Sequence, residues 1–114
     1  MLFLTRIKDP IYPTSIWFTN SYRLFHKKRS ELLDAHSEIA LCDGICSSSD
    51  SGLINIIGLF NDQYDSLVHE CNHAAINVFE AIGLPVTRDG SEAFTYYSAF
   101  LFRECLRLHR KWGR

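Results

Sequence analysis

Residues 53–83 read Leu53-Ile-Asn-Ile-Ile-Gly-Leu-Phe60, then Asn61-Asp-Gln63, then Tyr64-Asp-Ser-Leu-Val-His-Glu-Cys-Asn-His-Ala-Ala-Ile-Asn-Val-Phe-Glu-Ala-Ile-Gly83. The first eight residues are short, β-branched and bounded by turn formers, which predicts a strand. Asn61-Asp62 then offers a helix cap, and the helix is expected to run to Ile82, where Gly83 and Pro85 stop it. Along that helix Leu67, Val68, Ala74, Ala75, Ile76, Val78, Phe79 and Ile82 supply apolar surface over most of the circumference. A helix that is apolar nearly all round is buried. A strand leading into a buried helix is therefore the centre of the molecule, and the rest must pack around it.

Upstream, Met1–Ile7 reads as a short strand ended by Asp9-Pro10 and the nearby Pro13. Ser15–Lys28 fits either a strand flowing into a helix or one irregular amphipathic helix, through Ile16, Trp17, Phe18, Tyr22, Leu24 and Phe25. The Lys, Arg, Glu and Leu content favours a helix over roughly Thr19–Asp34. Glu38–Cys42 is a candidate strand, and Cys46–Gly52 reads as a polar turn. Downstream, Thr87–Ser91 is a loop, with Ser91 or Asp89 available to cap a last helix from Glu92 to about Lys111. Strands, an early helix, more strands and two final helices predict an α+β fold, a short β-sheet packed on helices.

The bulk numbers set limits. A chain of 114 residues holds one domain, taken as 1–114. It is 46% hydrophobic, enough for a real but small core, to which a bound metal would add stability. Twelve basic against 13 acidic residues leave a net charge of −1, which gives no reason to expect nucleic acid as a partner. The basic clusters at Arg23–Arg29 and Arg103–Arg114 read as a solvated helix face and a tail. The N-terminus is apolar for only four residues before charges arrive, unlike a signal peptide, and no stretch approaches a membrane span of about 20 apolar residues. The expectation is a cytoplasmic protein with no membrane association, in which Cys42, Cys46, Cys71 and Cys105 are free thiols.

Chemistry concentrates at His69-Glu-Cys-Asn-His73, an H-E-x-x-H sequence inside the expected helix. Residues i and i+4 share a helix face, so two imidazoles can hold one ion. Glu70 then sits beside the ion, where a carboxylate can take a proton from metal-bound water. Zn2+ is the expected metal, and a catalytic zinc takes three protein ligands with one position left for water. The third-ligand candidate is Glu92, which opens the last helix 19 positions after His73. An antiparallel pair of helices can bring it back, provided the loop recovers the roughly 14 Å that the first helix rises between His73 and Ile82. Cys71 is rotated roughly 200° from His69, away from such an ion, and Cys105 sits among Leu101, Phe102 and Leu106 as a small buried apolar residue.

His69-Glu-Cys-Asn-His73 followed by Glu92-Ala-Phe94 resembles the zincin metallopeptidases, specifically the gluzincin branch. There, two histidines come from the motif helix and a glutamate from the next. The resemblance covers roughly residues 53–105, and its specific part is only six or seven residues. It implies a small zincin-like domain, a β-sheet whose edge strand can line a substrate cleft, and hydrolysis of a peptide or protein substrate. Glu-Ala-Phe-Thr-Tyr-Tyr at 92–97 and the small size also resemble phage-encoded proteins of this type, which would place it in a host cytoplasm. The chain has no room for the second lobe of a typical gluzincin cleft. Tyr96, one turn beyond Glu92, faces the same way, and its phenol is a candidate donor to an oxyanion. Tyr97 and His109 are weaker candidates for that role.

Two other readings compete. Cys42, Cys46, His69 and His73 have the pair spacings of a structural Cys2His2 zinc site. Their 22-residue separation is long for a compact finger, however, and a closed site leaves no work for Glu70. Alternatively, the metal holds together a non-catalytic protein that grips a host or partner protein, with Trp17, Phe18 and Tyr22 as candidate contact residues.

Overall fold

In the computed structural model, which describes residues 1–88 and 91–113, seven elements follow one another. They are β1 (Leu4–Ile7), β2 (Ser15–Thr19), α1 (Tyr22–Leu33), β3 (Gly44–Ser48), β4 (Ile54–Leu59), α2 (Tyr64–Ile82) and α3 (Ser91–Trp112). The sheet order is β1-β2-β4-β3, with β2 and β4 parallel and the two outer strands antiparallel to their neighbours. The α+β class expected from the sequence is what the chain forms.

Period-2 alternation decides which face each strand residue takes. Ile16 and Phe18 of β2 and Ile57 and Leu59 of β4 point into one core with Leu67, Cys71, Ala74, Ala75 and Val78 of α2. On the opposite face α1 covers β2 and β4, with Phe25 fully buried beside Gly58 and Phe60. Trp17 faces that side too, under the Lys28 ammonium 4.3 Å from its ring centroid. The result is three layers: α1, the sheet, then α2 with α3 laid against it. Its radius of gyration, 13.4 Å, matches the roughly 13 Å of a folded chain this long. Among the described residues, no helix is long and apolar enough to cross a membrane.

The ambiguity at Ser15–Lys28 resolves as a strand running into a helix. Ser21 separates the two, its hydroxyl accepting from the Leu24 amide at 3.2 Å as an N-cap. Helix α1 therefore starts at Tyr22 rather than near Thr19.

Two local expectations are corrected. The expected strand at Glu38–Cys42 is irregular chain, with Leu41 86% exposed. The strand begins two residues after that segment ends, at Gly44–Ser48, overlapping the segment read as a turn. Its residues have weak strand preference and pair because β4 offers a ladder, from Gly44↔Leu59 to Ser48↔Asn55. The turn is confined to Ser49–Gly52, where Gly52 sits at φ +82° and a Cβ would meet the Asn77 carbonyl oxygen at 2.4 Å. Secondly, Asn61 and Asp62 precede rather than cap α2. The cap position is Gln63, and the Asn61 side chain accepts from its amide at 3.1 Å. The proposed cap Asp89 lies outside the described residues, while Ser91 donates its hydroxyl to the Arg88 carbonyl at 3.0 Å.

Helix α3 buries Tyr97, Leu101, Cys105 and Leu108, a 4-4-3 spacing that keeps one stripe against the core. It runs antiparallel to α2. The Ser98 hydroxyl donates to Asn72 Oδ1 at the middle, and His109 Nε2 lies 3.1 Å from Asp62 Oδ1 at the far end.

Candidate metal centre at the His69–His73 pair

His69, Glu70 and His73 all lie on α2, whose buried stripe (Leu67, Cys71, Ala74, Val78) faces the sheet. At about 100° per residue, His69 and His73 fall on the opposite, exposed side, while Glu70 turns back toward the sheet edge. The two imidazole Nε2 atoms are 3.1 Å apart, with ring centroids at 4.6 Å. Nitrogens bound tetrahedrally to one zinc at 2.0–2.1 Å stand about 3.3 Å apart, so the pair is already spaced for a shared ion. One carboxylate oxygen of Glu70 completes the group. Its three donor atoms, one per residue, lie within 4.8 Å of one another.

Glu70 is only 8% exposed and has no hydrogen-bond or ion-pair partner among the described residues. Burial pushes its carboxyl above the ordinary glutamate value, and the charges of His69 and His73 draw it part of the way back. It fits because β3 begins with a glycine. A Cβ on Gly44 would lie 3.2 Å from Glu70 Cγ and 3.1 Å from the Gly58 carbonyl oxygen. Gly44 and Asp43, which line the space beside Glu70, were not among the expected site residues because β3 was expected six residues too early. A glycine inside a strand marks close approach by a neighbour, and that was the available signal.

The structure does not bring Glu92 to the pair. Helix α3 lies along the Val68, Asn72 and Phe79 flank of α2, where Phe94 meets Phe79 edge-on at 5.5 Å and Ser98 meets Asn72. Val68 lies about 100° and Asn72 about 60° around the helix from His69, both on the side away from Glu70. Glu92 is exposed in the first turn of α3 and stands outside the donor group. Tyr96 is 72% exposed on the same helix.

The weaker candidates have structural partners. Tyr97 is buried and donates its hydroxyl to Asp9 Oδ2 at 2.6 Å, an interaction that, after burial, raises its own pKa. Buried His109 pairs with Asp62.

Neither cysteine of the competing Cys2His2 set joins the donor group. Cys46 faces inward beside Asn55, and burial, then the Glu70 and Cys71 charges, push its thiol far above the ordinary range. Cys42 is exposed at the mouth of β3. Cys71 and Cys105 are buried in the core, as their helical positions imply.

The comparisons with known proteins add no family. The chain matches no protein-family profile, no curated protein and no solved structure.

Proposed function

We propose that His69 and His73 bind one zinc ion and that the chain is a zinc-dependent hydrolase acting on a peptide amide. The observation that carries this reading is the 3.1 Å Nε2–Nε2 separation beside the unpartnered carboxylate of Glu70, a residue only 8% exposed. Zinc bound there would polarise the scissile carbonyl and acidify a coordinated water. Glu70, held beside the ion and lining the adjoining pocket, takes the proton from the attacking water and returns it to the leaving amine. The edge strand β3 borders Glu70, in keeping with the cleft-lining edge strand that the zincin resemblance implies.

In this reading Glu92 is the third ligand that the zincin resemblance implies, and in this fold it stands outside the donor group. Tyr96, one turn on, is the oxyanion donor that the same reading assigns. The deciding experiment combines metal analysis with peptide hydrolysis. The wild type is expected to hold about one zinc per chain, and Glu70→Gln is expected to keep the zinc while losing at least 100-fold in rate. A zinc-free wild type rules out the site, and full activity in Glu70→Gln rules out the mechanism. Glu92→Gln is expected to weaken zinc binding about tenfold or more.

The exposed position of Glu92, apart from the pair, favours one alternative: a metal-stabilised protein that binds a partner without turnover. Unchanged zinc affinity in Glu92→Gln, with no hydrolysis by the wild type, would select it.

A further inference from the structure

Beside the histidine pair, between the start of β3 and the first two turns of α2, lies a pocket of about 300 Å3. Asp43, Gly44, Asp65, Ser66, His69 and Glu70 line it. Three of those six residues carry carboxylates and none is a lysine or arginine, so even a zinc ion on the histidines leaves the space net negative. Neither Asp43 nor Asp65 has a side-chain hydrogen bond or ion pair among the described residues, so both charges are available to an incoming group. Glu70, more than nine-tenths buried and likewise unpartnered, is aimed into the same space. With three carboxylates and no donor paired to them, this is a place that an added positive charge improves.

The occupant's chemistry follows from the spacing. The only group of three or more such donors within 4.8 Å of one another among the described residues is His69, Glu70 and His73, so the three carboxylates do not form a cage for a second metal. They are instead spread along the walls of a space with the volume of roughly ten waters, which suits a long flexible side chain ending in a cation. Because His69 and Glu70 belong both to this pocket and to the metal site, whatever fills it lies next to the bond being cut.

We propose that this pocket receives the lysine or arginine side chain of the substrate residue flanking the scissile amide, with Asp43 and Asp65 as its counter-charges. The inference rests on the hydrolase reading and adds its substrate class: basic peptides. Asp43 and Asp65 hold the cation, which leaves Glu70 facing the water.

The test uses the full zinc-loaded chain and a synthetic peptide mixture randomised around its centre, with cleavage sites read by mass spectrometry. Cuts are expected to be enriched next to lysine or arginine. For a matched pair of peptides carrying lysine or norleucine at that position, kcat/KM is expected to favour lysine about fivefold at low salt, as two partly exposed charge pairings would give. That ratio should fall toward one as salt is raised and in the double variant Asp43→Asn, Asp65→Asn. Binding of the same two peptides to zinc-loaded Glu70→Gln, measured by calorimetry, separates the two claims. Tighter binding of the lysine peptide with no cleavage by the wild type overturns hydrolysis and supports the pocket. Cleavage or binding with no preference, or a preference that survives the double variant, overturns the pocket. Neither cleavage nor binding overturns both.

Discussion

Gly44 gives the sharpest test of how the catalytic carboxylate is held. A methyl group at this position would meet Glu70 Cγ at 3.2 Å and the Gly58 carbonyl oxygen at 3.1 Å. The carbonyl is fixed in the ladder between β3 and β4, so the Glu70 side chain must yield. Carbon atoms rest at about 3.5–4.0 Å, which requires a shift of several tenths of an ångström. Forcing a side chain off its rotamer by that much costs about 0.5–1.5 kcal/mol, which converts to a two- to twelvefold loss of rate if Glu70 is the base. Gly44→Val, with two further methyls, moves the carboxylate by about 1 Å, for which a 100-fold loss is the expected scale. Both substitutions should leave zinc affinity within about twofold, because the two imidazoles lie on the exposed side of α2 and neither is among the atoms nearest to a Cβ at Gly44. Peptide hydrolysis against zinc content is the assay, with thermal melting to confirm folding. A second readout needs no turnover: shortening the side chain in Glu70→Asp should relieve the crowding of Gly44→Ala. The two changes should therefore couple by at least 0.5 kcal/mol in a stability cycle. Additive changes, or Gly44→Val turning over at the wild-type rate, would refute the placement of Glu70 against β3.

Zinc at about 100 times its dissociation constant should stabilise the fold by about 2.7 kcal/mol and raise the melting temperature by about 10 °C. A chelator should reverse the shift and His73→Ala should abolish it; calorimetry with and without metal reads both, and a shift that survives His73→Ala removes the pair as the site. Asp9 predicts a pH effect far from the metal. Burial raises its carboxyl, but the Tyr97 and Thr14 hydroxyls at 2.6 and 2.7 Å and the Tyr12 and Ile11 amides outweigh that, leaving it below the usual aspartate range. A carboxylate depressed in the folded state contributes fully above its unfolded value near 3.9, and that contribution disappears as pH falls through the lower folded value. Asp9→Asn should therefore cost about 1–3 kcal/mol at neutral pH, with the gap to wild type closing only below about pH 4. A constant gap from pH 7 to pH 2 in denaturant melts would show that packing, not charge, is responsible.

The strand at 54–59 and the helix at 64–82 were legible because each carries its own period and its own stop, Gly83 being the left-handed cap of α2 at φ +74°. The spacing of His69 and His73 is likewise a local property of any α-helix, and so is the inward turn of Cys71. β3 was misplaced because Gly44-Ile-Cys-Ser-Ser48 has little strand preference of its own and is held by its partner β4. Which side of α2 receives α3 is also a tertiary matter. Phe94, Tyr97, Ser98 and Leu101 dock on the Val68–Asn72–Phe79 flank and in the core beside it, and with that choice Glu92 stands outside the donor group. Local periodicity alone thus determined the two imidazoles, because i and i+4 meet on every helix. The seating of Glu70 against Gly44, the acidic walls beside it and the distance of Glu92 were decided by tertiary structure, because each depends on how separate elements pack, and packing depends on residues far apart in the chain.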